Sequence, residues 1–154
     1  MLQHAKGNLI DMAEQGMFDI IVHGCNCQNT MGSGIAKEIR DRFPQAYSAD
    51  NCYFASPEQK LNNFSSFYTG KFLIVNAYTQ LHYMPRGIDH FEYESFRVIL
   101  KKMLLLYGDR HIGLPYIGMG LAGGDPDRIV GMIEAFAQTI TEKGGTVTLV
   151  EFNG

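Results

Sequence analysis

The segment that most constrains the fold runs from Phe18 to Pro44, where the apolar run FDIIVH breaks into GCNCQNTMGSG and then into IAKEIRDRF. A short β-branched run of this kind predicts a buried strand over 18–23, and the small polar residues after it predict a loop. Beyond Gly34, the residues Ile35, Ala36, Ile39 and Phe43 fall on one helical face, whereas Lys37, Glu38, Arg40 and Asp41 fall elsewhere, and Pro44 follows. A strand feeding a glycine-rich loop that opens into a helix presents backbone N–H groups where negative charge is favoured. A phosphate or diphosphate fits such a loop. So does a plain tight turn, because glycine serves both.

The pattern recurs downstream. Phe72 to Tyr78 (FLIVNAY) and His111 to Ile117 (HIGLPYI) predict two further buried strands, the second running into GMGLAGGD with Gly118, Gly120, Gly123 and Gly124. Two such loops, side by side, can hold both ends of a diphosphate. The order GxxxxGK[ST] is absent, and GMGLAG lacks the acidic residue after a second strand that a dinucleotide fingerprint needs. Phe96, Ile99, Leu100, Met103, Leu106 and Tyr107 mark a long helix ending near Gly108. Asp125-Pro126-Asp127 reads as an N-cap, a first-turn proline and a dipole-favoured carboxylate ahead of Ile129, Ile133, Phe136 and Ile140. Gly144-Gly145 ends that helix, and 146–152 (TVTLVEF) predicts a strand. MLQHAK is expected at a sheet edge, and 53–63 as a long polar connection to a strand pair over 65–78. Strands alternating with helices predict an α/β fold of three layers, α/β/α, around a central mixed sheet, with ligands beyond the carboxyl ends of the strands.

A chain of 154 residues fits a single domain over 1–154. A 45% hydrophobic and 19% charged composition argues against long disorder. A formal net charge of -3, with Lys and Arg scattered, offers no footprint for a phosphate backbone, so strong nucleic-acid binding is not expected. No apolar run reaches the roughly 20 residues that span a bilayer, and MLQHAKGNLID lacks a leader's apolar stretch. Cys25, Cys27 and Cys52 are odd in number, and the five His residues form no pair at metal-ligand spacing. These features predict a cytoplasmic protein with no membrane partner, no metal and no cofactor.

HGCNCQNTMGSGIAKEI after a buried strand, PYIGMGLAGGD late in the chain and GNLI near its start resemble, in that order and spacing, the macrodomain family. The likeness covers nearly the whole chain and is strongest to the branch of ADP-ribose-1″-phosphate phosphatases and terminal ADP-ribose glycohydrolases. It implies ADP-ribose or ADP-ribose-1″-phosphate as the ligand. Asn8, where the family usually has Asp, and Leu9 would lie near the adenine. Asn26 resembles the asparagine that holds the distal ribose. Met31, Gly32, Ser33, Gly34 and Ile35 resemble the loop over the phosphates, and Gly118, Met119, Gly120, Leu121, Ala122 and Gly123 the second diphosphate loop. Phe152 stands where many members set an aromatic against the adenosine, and equally reads as a core aromatic ending a buried strand.

The resemblance implies hydrolysis of ADP-ribose-1″-phosphate to ADP-ribose and phosphate, with His23, Asn26 and Asp125 as catalytic candidates. Imidazole titrates near neutrality and suits an acid or base; His23 also reads as a loop hydrogen-bonding residue and Asp125 as an N-cap. A non-catalytic reader or scavenger of ADP-ribose would use the same loops. So would a domain for another diphosphate. An ADP-ribosyl hydrolase acting on modified macromolecules would need the Lys and Asp of the glycohydrolases, and Gln80 and Ala122 stand in the corresponding places.

Overall fold

The computed structural model describes residues 1–26, 34–51, 56–81, 90–119 and 123–152. In chain order the elements are β1 (Leu2–Lys6), α1 (Leu9–Glu14), β2 (Ile20–Asn26), α2 (Gly34–Arg42), α3 (Pro44–Asn51), α4 (Pro57–Lys60), β3 (Phe64–Tyr68), β4 (Leu73–Gln80), α5 (Tyr93–Tyr107), β5 (His111–Leu114), α6 (Pro126–Glu142) and β6 (Thr146–Glu151). The strands form one mixed sheet in the order β1-β6-β5-β2-β4-β3. Every neighbouring pair is parallel except β3 with β4, which are antiparallel.

Alternation along β2 divides the core between the sheet's two faces. Ile20 and Val22 join Val75, Ile112, Val147 and the inward stripes of α5 (Phe96, Ile99, Met103) and α6 (Ile129, Ile133, Phe136, Ile140). Ile21 points the other way, into a cluster with Leu9, Ile10, Ile39, Ala46, Phe72 and Ile74 under α1, α2 and α3. The result is the expected three-layer α/β/α arrangement. Among the described residues no helix is long and apolar enough to cross a membrane.

Several boundaries differ from the sequence reading for local reasons. Pro44 opens α3 rather than merely closing α2, because a proline is well suited to the first helical turn. The polar stretch expected to be only a connection contains α4, a single turn held by a reciprocal Ser56/Gln59 capping box that hydrophobic periodicity cannot reveal. α1 escaped notice likewise, being six residues long behind its Asn8 cap. β5 stops at Leu114, where Pro115 removes a ladder donor. The edge strand at MLQHAK, the Asp125 cap and the helix that follows it stand as read.

Candidate functional site

Because β1, β6, β5 and β2 run in one direction, their carboxyl ends share one edge of the sheet, and a cavity of about 390 Å³ opens there. Gly7, Asn8 and Leu9 reach it from the turn after β1, Ile35 and Glu38 from α2, Pro115 from the end of β5, and Val150 and Phe152 from β6. Its volume falls in the range of small-molecule sites, and its wall is mostly hydrocarbon with two convergent polar side chains. Phe152 is 66% exposed. It therefore stands at the opening rather than in the core, as a flat apolar surface available to a planar ligand.

The two polar side chains are fixed by one another. Asn8 caps α1, its Oδ1 accepting from the Asp11 amide at 3.0 Å, while its Nδ2 donates to Glu38 Oε1 at 2.9 Å. Arg42, one turn beyond Glu38 on α2, donates to Glu38 Oε1 at 3.4 Å and to Asp11 Oδ1 at 2.8 Å. The ring Asn8, Glu38, Arg42, Asp11 thus ties the start of α1 to α2. Sequence reasoning found Asn8, Leu9, Ile35 and Phe152 and missed Gly7, Glu38, Pro115 and Val150. Glu38 looked like part of the solvent face of α2, yet its i,i+3 relation to Ile35 and i,i+4 relation to Arg42 was a signal in plain view.

The two glycine segments arise from neighbouring strands. β2 pairs with β5 through Ile20 with Ile112 and Ile21 with Gly113. At the far end of β2, a Cβ on Gly24 would stand 3.0 Å from the Ile117 side chain, so the strand end lies directly against the residue preceding Gly118. Gly124 closes the second segment, its N–H donating to the Gly118 carbonyl at 2.8 Å. Gly118 holds φ +75, and a Cβ there would overlap the Phe91 ring; one on Gly124 would come within 2.6 Å of the Gly118 oxygen. Backbone conformation and packing both require glycine at Gly118, and packing alone requires it at Gly124. Met119 packs partly buried against the core, and Gly123 also takes a positive φ, of 73. Asn26 is the last residue of β2, past a register shift between Cys25 and Asn26, and Gly34 is the first of α2. Met31, Gly32, Ser33, Gly120, Leu121 and Ala122 lie outside the described residues.

Asp125 is exposed and caps α6, accepting from the Asp127 amide at 3.0 Å while its own N–H donates to Tyr93 Oη at 2.9 Å. His23 is placed differently. It shares the face of Ile21 and is fully buried beneath α3, in a polar chain that does not line the cavity. His23 Nε2 donates to Asn76 Oδ1 at 2.7 Å. Asn76 Nδ2 donates to the Ala46 carbonyl at 3.1 Å and to Ser65 Oγ at 3.0 Å, which fixes its amide and, with it, the imidazole tautomer. Ser65 Oγ meets Tyr78 Oη at 2.7 Å, Tyr78 donates to Asp50 Oδ1 at 2.7 Å, and Asp50 pairs with Lys60 at 3.1 Å. The Cys25 sulfur lies 3.6 to 3.7 Å from the His23 ring nitrogens.

Burial lowers the pKa of His23 below its ordinary value, against opposing contributions from the Asn76 hydrogen bond and the Asp50 charge. Burial, with Asp50 nearby, raises that of Tyr78, which stays a neutral donor. A depressed histidine pKa means that the unfolded chain binds a proton the native protein refuses. Its contribution to stability is complete above the unfolded value of about 6.5 and shrinks as pH falls from there toward the native value. Denaturant titrations from pH 8 to pH 5 are expected to show stability falling below about pH 6.5, with His23 adding a slope approaching about 1.4 kcal/mol per pH unit. His23→Gln, compared over the same range, should lack that share of the slope; an identical slope would refute the assignment.

No family model matches the sequence. The 17.5 kDa protein of the tk-vs intergenic region of Enterobacteria phage T4 is 30% identical over 152 residues, covering 91% of this chain and 92% of the phage protein. A 28-residue stretch is 46% identical to the ADP-ribose 1''-phosphate phosphatase of Aspergillus fumigatus, covering 18% of this chain and 14% of that enzyme. Among solved structures, the macrodomain of Mycobacterium tuberculosis DarG superimposes with a TM-score of 0.75 at 17% identity, over 96% of this chain and 97% of that one. The chain belongs to the phage protein's family, and its fold is a macrodomain's. Thermosipho africanus DarTG in complex with ADP-ribose matches the macrodomain with a TM-score of 0.73 at 13% identity, over 97% of this chain and 41% of that one. The Trypanosoma brucei macrodomain in complex with ADP matches with a TM-score of 0.70 at 14% identity, over 99% and 64%.

Proposed function

We propose that this macrodomain, acting as one domain over 1–154, binds ADP-ribose along the carboxyl edge of its sheet. The adenine enters the cavity bounded by Asn8, Leu9, Ile35 and Phe152. The diphosphate lies between the segments that follow β2 and β5, and the distal ribose lies at Asn26. The observation that carries this reading is the convergence on one cavity of Asn8, Leu9 and Phe152, which the family resemblance sets on the adenosine side, with Ile35, which it sets in the phosphate loop. The complexes of the Thermosipho and Trypanosoma proteins with ADP-ribose and ADP support the same ligand class. Calorimetry is expected to find ADP-ribose bound more tightly than ADP. Equal affinities would remove the distal-ribose role from Asn26, and no binding of either would end the proposal.

Hydrolysis of ADP-ribose-1″-phosphate is a second reading, favoured by the 28-residue match to the fungal phosphatases. Asp125, exposed at the end of the second glycine segment, is the side chain this reading would use, with Asn26 holding the sugar; the burial of His23 favours a structural role for it. The same protein preparation, assayed for phosphate release from ADP-ribose-1″-phosphate, decides between a phosphatase and a reader. Release that Asp125→Ala abolishes supports the phosphatase, and binding without release leaves the reader.

A further inference from the structure

Among the described residues, the cavity proposed for adenosine is lined by one carboxylate, that of Glu38. Glu38 lines the cavity beside Ile35, 33% exposed, at the wall shared with Asn8. Both ends of the Asn8 amide are already engaged, Oδ1 with the Asp11 N–H and Nδ2 with Glu38 itself. Asn8 therefore serves the protein before it serves a ligand. Glu38 differs. The hydrogen bonds it receives from Asn8 and Arg42 both fall on Oε1, so Oε2 retains its acceptor capacity. Those two donors come from different helices and hold the carboxylate in one orientation without consuming it. A carboxylate accepts and never donates, so in a cavity otherwise walled by Leu9, Ile35, Pro115 and Val150 it discriminates strongly among bases that differ only in their donors.

The geometry points to Glu38 as the residue that selects the nucleobase, its carboxylate accepting a hydrogen bond from an exocyclic amine on a base seated against Phe152. This rests on the ADP-ribose reading and specifies it: the ligand carries an amino-substituted base, and one bearing a carbonyl at that edge sets an oxygen against the carboxylate. A tie between α1 and α2 would need Glu38 as well, but would give no preference between two bases of the same shape.

Calorimetry with ADP-ribose and with inosine diphosphate ribose, whose purine carries a carbonyl in place of the exocyclic amine and a hydrogen on the adjacent ring nitrogen, separates the possibilities. The wild-type protein is expected to bind ADP-ribose about tenfold or more tightly than the inosine compound, the effect of one charge-assisted hydrogen bond. Glu38→Gln, whose amide can turn its NH₂ to the carbonyl, should narrow the gap to about threefold or reverse it, with an unchanged unfolding midpoint. Equal wild-type affinities, or a variant that keeps the wild-type preference, would overturn the role of Glu38 while leaving ADP-ribose binding intact. Failure of the wild type to bind either compound would overturn both. The wild-type comparison needs no variant to fold.

Discussion

Lys60→Met is expected to lower the unfolding free energy by about 3–5 kcal/mol, read from denaturant titration at neutral pH. Lys60 and Asp50 are each 1% exposed and 3.1 Å apart, at the end of the polar chain that begins at His23. The Lys60 ammonium also donates to the Asp50 carbonyl at 3.3 Å and sits 4.6 Å from the centre of the Tyr78 ring. Methionine fills similar volume, so the loss is not a cavity but an unpaired carboxylate, whose Oδ2 already lacks a hydrogen-bond partner. The cost belongs to the broken pair rather than to the absence of charge. The double variant Lys60→Met, Asp50→Leu is therefore expected to be more stable than Lys60→Met alone, as apolar replacements of buried ion pairs often are. A double variant no more stable than the single one would show that Asp50 is needed for its bond from Tyr78 rather than for its charge.

Gly118→Ala is the second substitution with a large expected effect, about 2–4 kcal/mol of stability together with a tenfold or greater loss of ADP-ribose affinity. A left-handed alanine costs about 1–2 kcal/mol by itself. Its methyl group would also intrude on Phe91, which cannot readily retreat: that ring is buried and meets Phe96 edge-on at 5.3 Å and Tyr93 at 5.2 Å. Tyr93 in turn accepts from the Asp125 amide, so displacing Phe91 disturbs the second glycine segment at both of its ends. Gly131→Ala is the control, since α6 leaves open space around that position, and it should raise stability by about 0.5–1 kcal/mol. Unchanged binding by a folded Gly118→Ala protein would separate this segment from the ligand.

What the sequence made legible follows from periodicity and punctuation. β2, α2, α5 and α6 carry long apolar patterns with clear starts or stops, and the segments after β2 and β5 are rich in residues that only loops use. The cavity at the carboxyl edge was half legible. Asn8 and Phe152 sit in recognisable strings, whereas Glu38 and Pro115 join the cavity only through the way α2 and β5 pack. The polar chain from His23 to Lys60 left no such trace. Its members lie on β2, α3, α4, β3 and β4 and meet only when the sheet forms, and a lysine in a polar stretch is ordinarily exposed. Burial turned the histidine from an apparent acid–base candidate into a neutral hydrogen-bond donor.

The pairing of β1 with β6 has a consequence for how the cavity responds to an occupant. Gly7 and Asn8 stand on one wall and Val150 and Phe152 on another, joined by the Gly7 amide to the Glu151 carbonyl at 2.9 Å. A guest touching both walls staples segments that are remote in the covalent chain, and it dissociates whenever either strand peels away. Occupancy therefore suppresses edge fraying and whole-molecule unfolding alike, and the gain grows with the logarithm of guest concentration above its dissociation constant.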